Sequence, residues 1–409
     1  MQGFFGGGLQ PNQQAIILDT FPPEKRGMAF SITAVATIVA PVLGPTLGGW
    51  ITDNYTWRWI FFINIPIGAI TFFAVTALVE DPPWVLNQAK RGIDTIGLGL
   101  IALGLGCLQV VMDRGEDDDW FGSNFIVGMA ILSAIGILGA IGWLLTAKKP
   151  IVSLRVMGDR NFALGCFLTF ALFAIVYSSA VLIPQLAQEV LQYNSTLAGL
   201  VLSPGAALVC ITIPIVQRVM TVVPTKYIVA FGFVAIGGGL TYSMHLVPTI
   251  DYDTLAKMRA AQSFGIALLF VPISTLAYAT LPKELNGDAA ALYTMFRNVS
   301  GSIGISAATA MVTQRTQVRT AHLVKHLTPF NPAYNETIQR NAQTLLSLGR
   351  AAATTTDIAT GMIYQTLRTQ AQVLAYSDVF MFCAVGAFCV VPFAFLFSNV
   401  KASGGGGGH

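Results

Sequence analysis

An arginine and two aromatic residues stand together inside an apolar run near the end of the chain. Arg297 lies about eight residues into the run 289–312, roughly 12 Å from its beginning if the run is helical. Tyr293 and Phe296 fall on the adjoining turns, and an aromatic wall with one cation suits amphipathic compounds. Two interpretations stay open. Arg297 lines a central cavity and pairs with a carboxylate of a substrate or proton carrier, or it locks two helices through a structural ion pair.

Other polar side chains in apolar runs are weaker candidates for substrate or proton sites. Tyr177, Gln185 and Gln188 could offer hydrogen bonds toward the same cavity. Asp378, near the outer end of the last run, is a candidate proton site. Glu189 is interpreted as a solvated interfacial carboxylate.

A second pattern combines prolines and small residues in the run 27–51. Two prolines four residues apart remove two backbone donors and bend a helix, and the glycines leave a face that another helix can approach closely. Such a helix suits either a rocking surface between moving bundles or tight static packing. The pattern comprises Ala40, Pro41, Gly44, Pro45, Gly48 and Gly49.

Membrane-spanning helices must position these residues. The chain is 54% hydrophobic and 11% charged, whereas about a quarter of a soluble protein is charged. The apolar runs last about twenty residues, which fits spanning helices and not the roughly ten-residue strands of an outer-membrane barrel. We therefore predict an all-α polytopic membrane protein with about eleven spanning helices. The predicted runs are 2–20, 27–51, 59–79, 93–112, 124–146, 162–187, 195–218, 227–247, 258–279, 289–312 and 374–399.

The charges lie mainly in the connectors between these runs. Their distribution predicts a cytoplasmic carboxyl terminus, with residue 1 and the long segment 313–373 outside. No continuous basic face for nucleic acid is formed, so nucleic-acid binding is not expected. No nucleophile–base constellation or metal-ligand set is recognisable, which disfavours an enzyme and a metal site.

An internal repeat divides the chain into two related halves. Residues 20–29 return as 280–289, and the same offset aligns Gln2 with Gln262 and Gly44 with Gly304. About a hundred residues of hydrophobic chain precede the second copy, whereas the first begins at Met1. We therefore expect the amino-terminal half to lack its first helices.

Several spaced motifs resemble a known family. Residues 40–49 resemble the antiporter signature of major facilitator drug exporters, and residues 55–68 resemble the Trp-Arg-Trp-hydrophobic-Asn-Pro-Gly stretch of EmrB/QacA-type fourteen-helix drug:proton antiporters. The resemblance covers the chain from Gln2 to about Phe397. It implies that Gln2 and Gly3 end an Arg-x-x-Gln-Gly element, whose counterpart in the second half is Arg259 with Gln262.

The resemblance implies a major facilitator fold with eleven of fourteen helices present. Its expected divisions are the remainder of the amino-terminal bundle with three helices missing (1–80), an extra central helix pair (81–150), a carboxyl-terminal six-helix bundle including the long outer segment (151–400) and a flexible tail (401–409).

The implied function is secondary active transport. Hydrophobic or amphipathic drugs would be exported across the bacterial inner membrane in exchange for protons by alternating access. The proton gradient would supply the energy, with no cofactor. In Gram-negative relatives a membrane-fusion adaptor and an outer-membrane channel are further partners, and 313–373 is the segment expected to meet them. The alternatives are export of a native metabolite, or a truncated, non-transporting fragment or assembly partner of such an exporter.

Overall fold

The computed structural model describes residues 6–79, 94–147, 150–282, 285–348 and 352–397. Within these ranges the regular structure is helical, which confirms the all-α fold class. Gln2, Gly3 and the tail 401–409 lie outside the described residues, as does the whole connector at 80–93.

Fourteen α-helices are numbered here in chain order over the described residues. The first six are α1 Leu9–Thr20, α2 Pro23–Asn54, α3 Trp59–Phe62, α4 Asn64–Leu78, α5 Thr95–Arg114 and α6 Asn124–Thr146. The others are α7 Arg160–Glu189, α8 Ser195–Leu200, α9 Ser203–Met220, α10 Thr225–Tyr242, α11 Tyr252–Ala277, α12 Asn286–Val324, α13 Pro332–Ser347 and α14 Ala352–Ala394. Two short 3₁₀ helices, Trp120–Gly122 and Leu154–Gly158, precede α6 and α7.

Side-chain caps fix where several helices begin. Asp159 accepts a 2.8 Å hydrogen bond from the Phe162 backbone N–H at the start of α7, and Asn194 accepts one of 2.9 Å from Leu197 at the start of α8. Each cap satisfies a backbone donor that the first helical turn leaves without a partner. Pro204, in the first turn of α9, needs no such partner.

Seven spans of the described residues are long and apolar enough to cross a membrane. They are Trp59–Leu78, Thr95–Arg114, Asn124–Thr146, Arg160–Glu189, Ser195–Met220, Tyr252–Ala277 and Thr354–Ala394. A multi-pass protein follows, but the predicted count of about eleven is not confirmed. For example, the first predicted run corresponds to α1, which has only 12 residues.

The segment 313–373 differs from the predicted long loop between two membrane runs. α12 continues past residue 312 to Val324, and α14 begins at Ala352 instead of near 374. Hydropathy marks only the apolar part of a helix, whereas backbone hydrogen bonding continues through polar residues until a breaker intervenes. Both membrane helices are therefore longer than their apolar runs, and α13 lies between them.

The helices from α7 onward supply most of the buried core. α7 packs against α12, and α11 packs against both α9 and α10. Phe162, Phe233 and Leu182 are fully buried in this bundle. By contrast, the span formed by α3 and α4 exposes every residue of its apolar window. The core thus places the buried polar residues of α7, α11 and α12 side by side.

Candidate functional site

Repeat-related helices form the contact between the two halves. The offset that carries Thr20 to Thr280 aligns α1 and α2 with the end of α11 and with α12. In the structure α1 packs against α12, and α2 packs against α11. Each helix of one half therefore packs against the counterpart of its neighbour in the other half. This reciprocal pattern is expected for a fold built from a duplicated unit.

Three sets of hydrogen bonds connect the two halves across this interface. Near its middle, Gln14 Oε1 accepts a 3.0 Å hydrogen bond from the Tyr278 hydroxyl. At one end, the Asn286 amide donates to Asp19 at 3.2 Å. At the opposite end of α2, Asp53 accepts hydrogen bonds from the backbone N–H of Thr196 at 3.1 Å and from its hydroxyl at 2.7 Å. Sequence reasoning missed Gln14 and Asp53, although a polar amide inside an apolar run was a signal for Gln14.

Arg297 is buried against an aromatic ring. Its side chain is 2% exposed, and its guanidinium carbon lies 5.3 Å from the Phe173 ring centroid on α7. The Nε and Nη2 atoms have no hydrogen-bond partner, and no carboxylate of the described residues forms an ion pair with Arg297. The attraction of the ring compensates only part of the cost of burying this charge.

A chain of aromatic contacts joins the two halves through Tyr293, one turn from Arg297. Tyr293 is buried, its hydroxyl lies 3.0 Å from Ser274 Oγ, and its ring centroid is 5.4 Å from that of Tyr278. Tyr278 in turn stacks on Phe30 of α2 at 5.8 Å. Phe296 is partly buried against the same core. Arg297, Tyr293 and Phe296, which the sequence places together on α12, therefore lie beside a cluster of aromatic rings.

The polar residues predicted on α7 divide between two places. Tyr177 packs its ring against Gly301, and its centroid lies 5.7 Å from that of Phe173, which brings it to the Arg297 group. Gln185 lies two turns further along α7, about 12 Å away, and donates a 3.1 Å hydrogen bond to Glu189. Gln188 is exposed. The structure therefore does not bring Gln185 and Gln188 to Arg297.

Arg259 and Gln262 form a buried polar network with two serines. Arg259 Nη1 donates to Ser179 Oγ at 2.9 Å and approaches Gln262 Oε1 at 3.4 Å. The Ser179 hydroxyl also donates to Gln262, and Gln262 Nε2 donates to Ser243 at 2.7 Å. The network joins α7 and α11 to Ser243, the residue that follows α10. Sequence reasoning named only the arginine and the glutamine, because isolated serines in apolar helices give no distinct signal.

The small-residue pattern lies on α2, which is continuous through the positions of Pro41 and Pro45. A Cβ at residue 49 would lie 2.6 Å from the Ser195 carbonyl oxygen, so Gly49 permits a close approach of α8. Gly48 has only Ile60 within 4 Å, Gly44 has no neighbour within that distance among the described residues, and Ala40 is exposed. The pattern is therefore tightly packed at one end and open at the other.

The repeat-related position on α12 is closed. Gly304, which aligns with Gly44, lies against the backbone of Ala174 on α7 so closely that a Cβ would collide with its carbonyl oxygen. Both glycines thus occupy equivalent faces of equivalent helices, of which one is covered by a helix and the other is not.

Asp378 forms a two-pronged ion pair with Arg319. Arg319 Nη2 lies 2.6 Å from Asp378 Oδ1, and its Nε lies 2.9 Å from Oδ2. This pair joins α12 to α14. Sequence reasoning missed Arg319 because it assigned residue 319 to the long outer segment.

The α5–α6 pair is fastened internally and to α12. Asp94 caps α5 through the Gly97 N–H and accepts a 3.0 Å hydrogen bond from Trp143 Nε1 on α6. The capping bond lowers the pKa of Asp94, helped by those from Trp143 and the Ile151 N–H. Ser302 of α12 donates to Gln109 Oε1 on α5 at 2.6 Å.

Repeat-related helices that pack against each other, apolar spans and a buried cation on an interface helix are typical of a polytopic membrane transporter. Residues 1–305 match the family model described as Major Facilitator Superfamily. The chain belongs to this superfamily.

Similar proteins place it among drug exporters of the superfamily. It is 34% identical to "Multidrug export protein EmrB" of Escherichia coli K12, an alignment that covers the whole of this chain and 78% of that protein. The EmrB protein of Haemophilus influenzae is 32% identical over 94% of this chain and 74% of its own length. "Fatty acid resistance protein FarB" of Neisseria gonorrhoeae is 30% identical over the whole chain and 78% of its own length. The predicted resemblance to EmrB-type drug exporters is thereby confirmed.

Proposed function

We propose that this protein exports hydrophobic or amphipathic compounds in exchange for protons by alternating access. Its relatives carry the names of multidrug export and fatty acid resistance proteins, which supports a substrate range of apolar organic molecules. No nucleotide or other cofactor enters the proposal, since the proton gradient is the energy source.

The observation that carries the proposal is the unpaired charge of Arg297. A buried guanidinium without an acidic partner is unfavourable, and the usual solution in a membrane protein is a counter-ion. A substrate carboxylate or another mobile anionic group would supply it. Tyr293, Phe296 and Tyr177 would then contact the apolar body of the substrate. This assignment accounts for a cation that the described protein residues leave without an ion pair.

Proton exchange would use acidic groups elsewhere in the carboxyl-terminal bundle. Asp378 is our first choice, because its pairing with Arg319 links α12, the helix of Arg297, to α14. Gln185 and Gln188 would belong to the outer part of the pathway. The Asp19–Asn286 and Asp53–Thr196 contacts, at opposite ends of the interface, would open in alternation.

The proposed setting is the inner membrane with the carboxyl terminus in the cytoplasm. The helical extension formed by the end of α12, α13 and the start of α14 would then project outside. We propose it as the contact for a membrane-fusion adaptor that leads to an outer-membrane channel.

Transport in liposomes tests the proposal. Proteoliposomes of the protein should move the anionic amphipath 1-anilinonaphthalene-8-sulfonate when a pH gradient is imposed, and collapse of the gradient should stop the movement. Arg297→Gln should abolish it, whereas Arg340→Gln, an exposed arginine on α13, should leave it intact. Gradient-independent movement, or equal rates for the Arg297 variant and the parent, would refute the proposal.

A further inference from the structure

A cavity that Arg297 does not line lies at the end of α7. It has a volume of about 780 Å³ and is lined by α7, α12 and α14. Gln185 and Glu189 line it from the end of α7, and Tyr376 lines it from α14. Its volume falls within the range of small-molecule sites, roughly 300–1,000 Å³.

Three threonines on one wall of this cavity present only hydrogen-bond acceptors to it. Thr309, Thr313 and Thr316 line it from successive turns of α12. Each hydroxyl donates its proton to a backbone carbonyl of its own helix, at 3.0, 3.3 and 2.7 Å respectively. A hydroxyl has one donor, so the oxygen lone pairs that remain can only accept.

The α7 side adds two further acceptors. Gln185 uses its Nε2 to donate to Glu189 Oε1, and its own Oε1 is buried with no hydrogen-bond partner in the described part of the chain. The Glu189 carboxylate adds acceptor oxygens.

A buried hydroxyl completes the arrangement. Tyr376 is 1% exposed, and its hydroxyl makes no hydrogen bond of normal geometry with a described group, although the Glu189 carboxylate lies close enough to act on it. Buried polar atoms are rarely left unpaired in folded proteins, so each unpaired atom calls for an explanation. Two such atoms in one cavity, those of Gln185 and Tyr376, point to a ligand.

We propose that this cavity binds the protonated amino group of an amphipathic amine. A primary ammonium has three N–H donors, no acceptor and a positive charge, which complements Gln185 Oε1, the Glu189 carboxylate and the Tyr376 hydroxyl. Arg368, the cation of the lining, lies two turns from Tyr376 along α14, about 12 Å away. The ammonium therefore binds between Glu189 and Tyr376, and the organic group extends along the cavity.

Three matched ligands test the proposal by calorimetry on the full chain in lipid nanodiscs. They are 2-phenylethylamine, its N,N,N-trimethyl counterpart with the same charge but no N–H, and 3-phenylpropionate with the opposite charge. We expect the amine to bind, the trimethyl compound to bind at least several-fold more weakly and the carboxylate not to bind. Glu189→Gln and Tyr376→Phe should each weaken amine binding about tenfold.

Matched variants keep the result interpretable. Glu336→Gln and Tyr334→Phe, both on α13, should leave the amine affinity unchanged. Tyr376→Phe removes an unpaired buried atom, so its thermal stability should equal or exceed that of the parent and its lost affinity cannot reflect unfolding. Absence of amine binding, equal binding of the carboxylate, or full affinity in the Glu189 and Tyr376 variants would overturn the proposal.

Discussion

The guanidinium of Arg319 holds both carboxylate oxygens of Asp378, at 2.6 and 2.9 Å, and thereby joins α12 to α14. Because the two residues are 59 positions apart, the pair fixes the base of the helical extension that contains α13. Asp378 is nearly buried, with 11% of its side chain exposed, whereas that of Arg319 is 40% exposed.

Asp378→Asn should lower the free energy of unfolding by about 1–2 kcal/mol. This is less than the 3–5 kcal/mol for breaking a fully buried pair, because solvent screens the exposed side of Arg319. Thermal melts in detergent measure the loss. Arg319→Lys should lose about half as much, since lysine keeps the charge but not the fork geometry. Asp357→Asn, an exposed carboxylate on α14, is the matched control, and an equal loss there would contradict the interpretation.

Arg297→Met should raise stability while it abolishes transport. Replacing a buried, unpaired charge by an apolar side chain of similar length is expected to stabilise the fold by about 1–4 kcal/mol. The melting temperature and the liposome assay measure the two effects separately. A large destabilisation would instead indicate that Arg297 makes a structural ion pair.

Gly304→Ala and Gly44→Ala should differ although the two positions are related by the repeat. The added methyl at 304 would collide with the Ala174 backbone, which is expected to cost about 1–3 kcal/mol. At residue 44 no described atom lies within 4 Å, so the same substitution should be neutral or slightly stabilising. The melting temperatures of the two variants measure this difference in stability. Equal melting temperatures would refute the assignment of a packed face at Gly304 and an open face at Gly44.

Acid should loosen the α5–α6 pair through Asp94. Its pKa is lowered in the folded protein from an ordinary value of 3.8, so its contribution to stability is present above that value and is lost as the pH falls below about 4, through the folded-state pKa. Trp143 reports the change, because its indole N–H donates to Asp94 at 3.0 Å. The fluorescence difference between the parent and Trp143→Phe should shift with acid, and Asp94→Asn should show the shifted signal already at neutral pH.

The sequence predicts the helical class, the internal repeat and the aromatic setting of Arg297. These follow from apolar run length and from residues that share one helix face, such as Tyr293 and Arg297, both of which are local properties. The repeat also identifies the helices that meet between the halves, because its offset aligns α1 with the end of α11 and α2 with α12.

Long-range partners are harder to predict. Arg319 and Ser179 acquire their roles only when α12 and α7 pack against α14 and α11. The sequence pattern groups Gln185 with Arg297 because both lie in apolar runs, but two helical turns separate Gln185 from Tyr177 and place it at a cavity that Arg297 does not line. Residue types alone do not determine the helix rotation or the depth of a side chain, which depend on tertiary packing.

The hydrogen bonds from Ser302 to Gln109 and from Ser306 to the Met112 carbonyl, each 2.6 Å, attach α5 to the helix that carries Arg297. If α12 rotates as a rigid body during transport, the attached α5–α6 pair would therefore move laterally in the bilayer. Viscous drag on this pair would oppose the rotation, so we expect turnover to slow in more ordered bilayers. Spin labels on α6 and α12 should keep a constant separation throughout the cycle, and a changing separation would exclude this mechanical coupling.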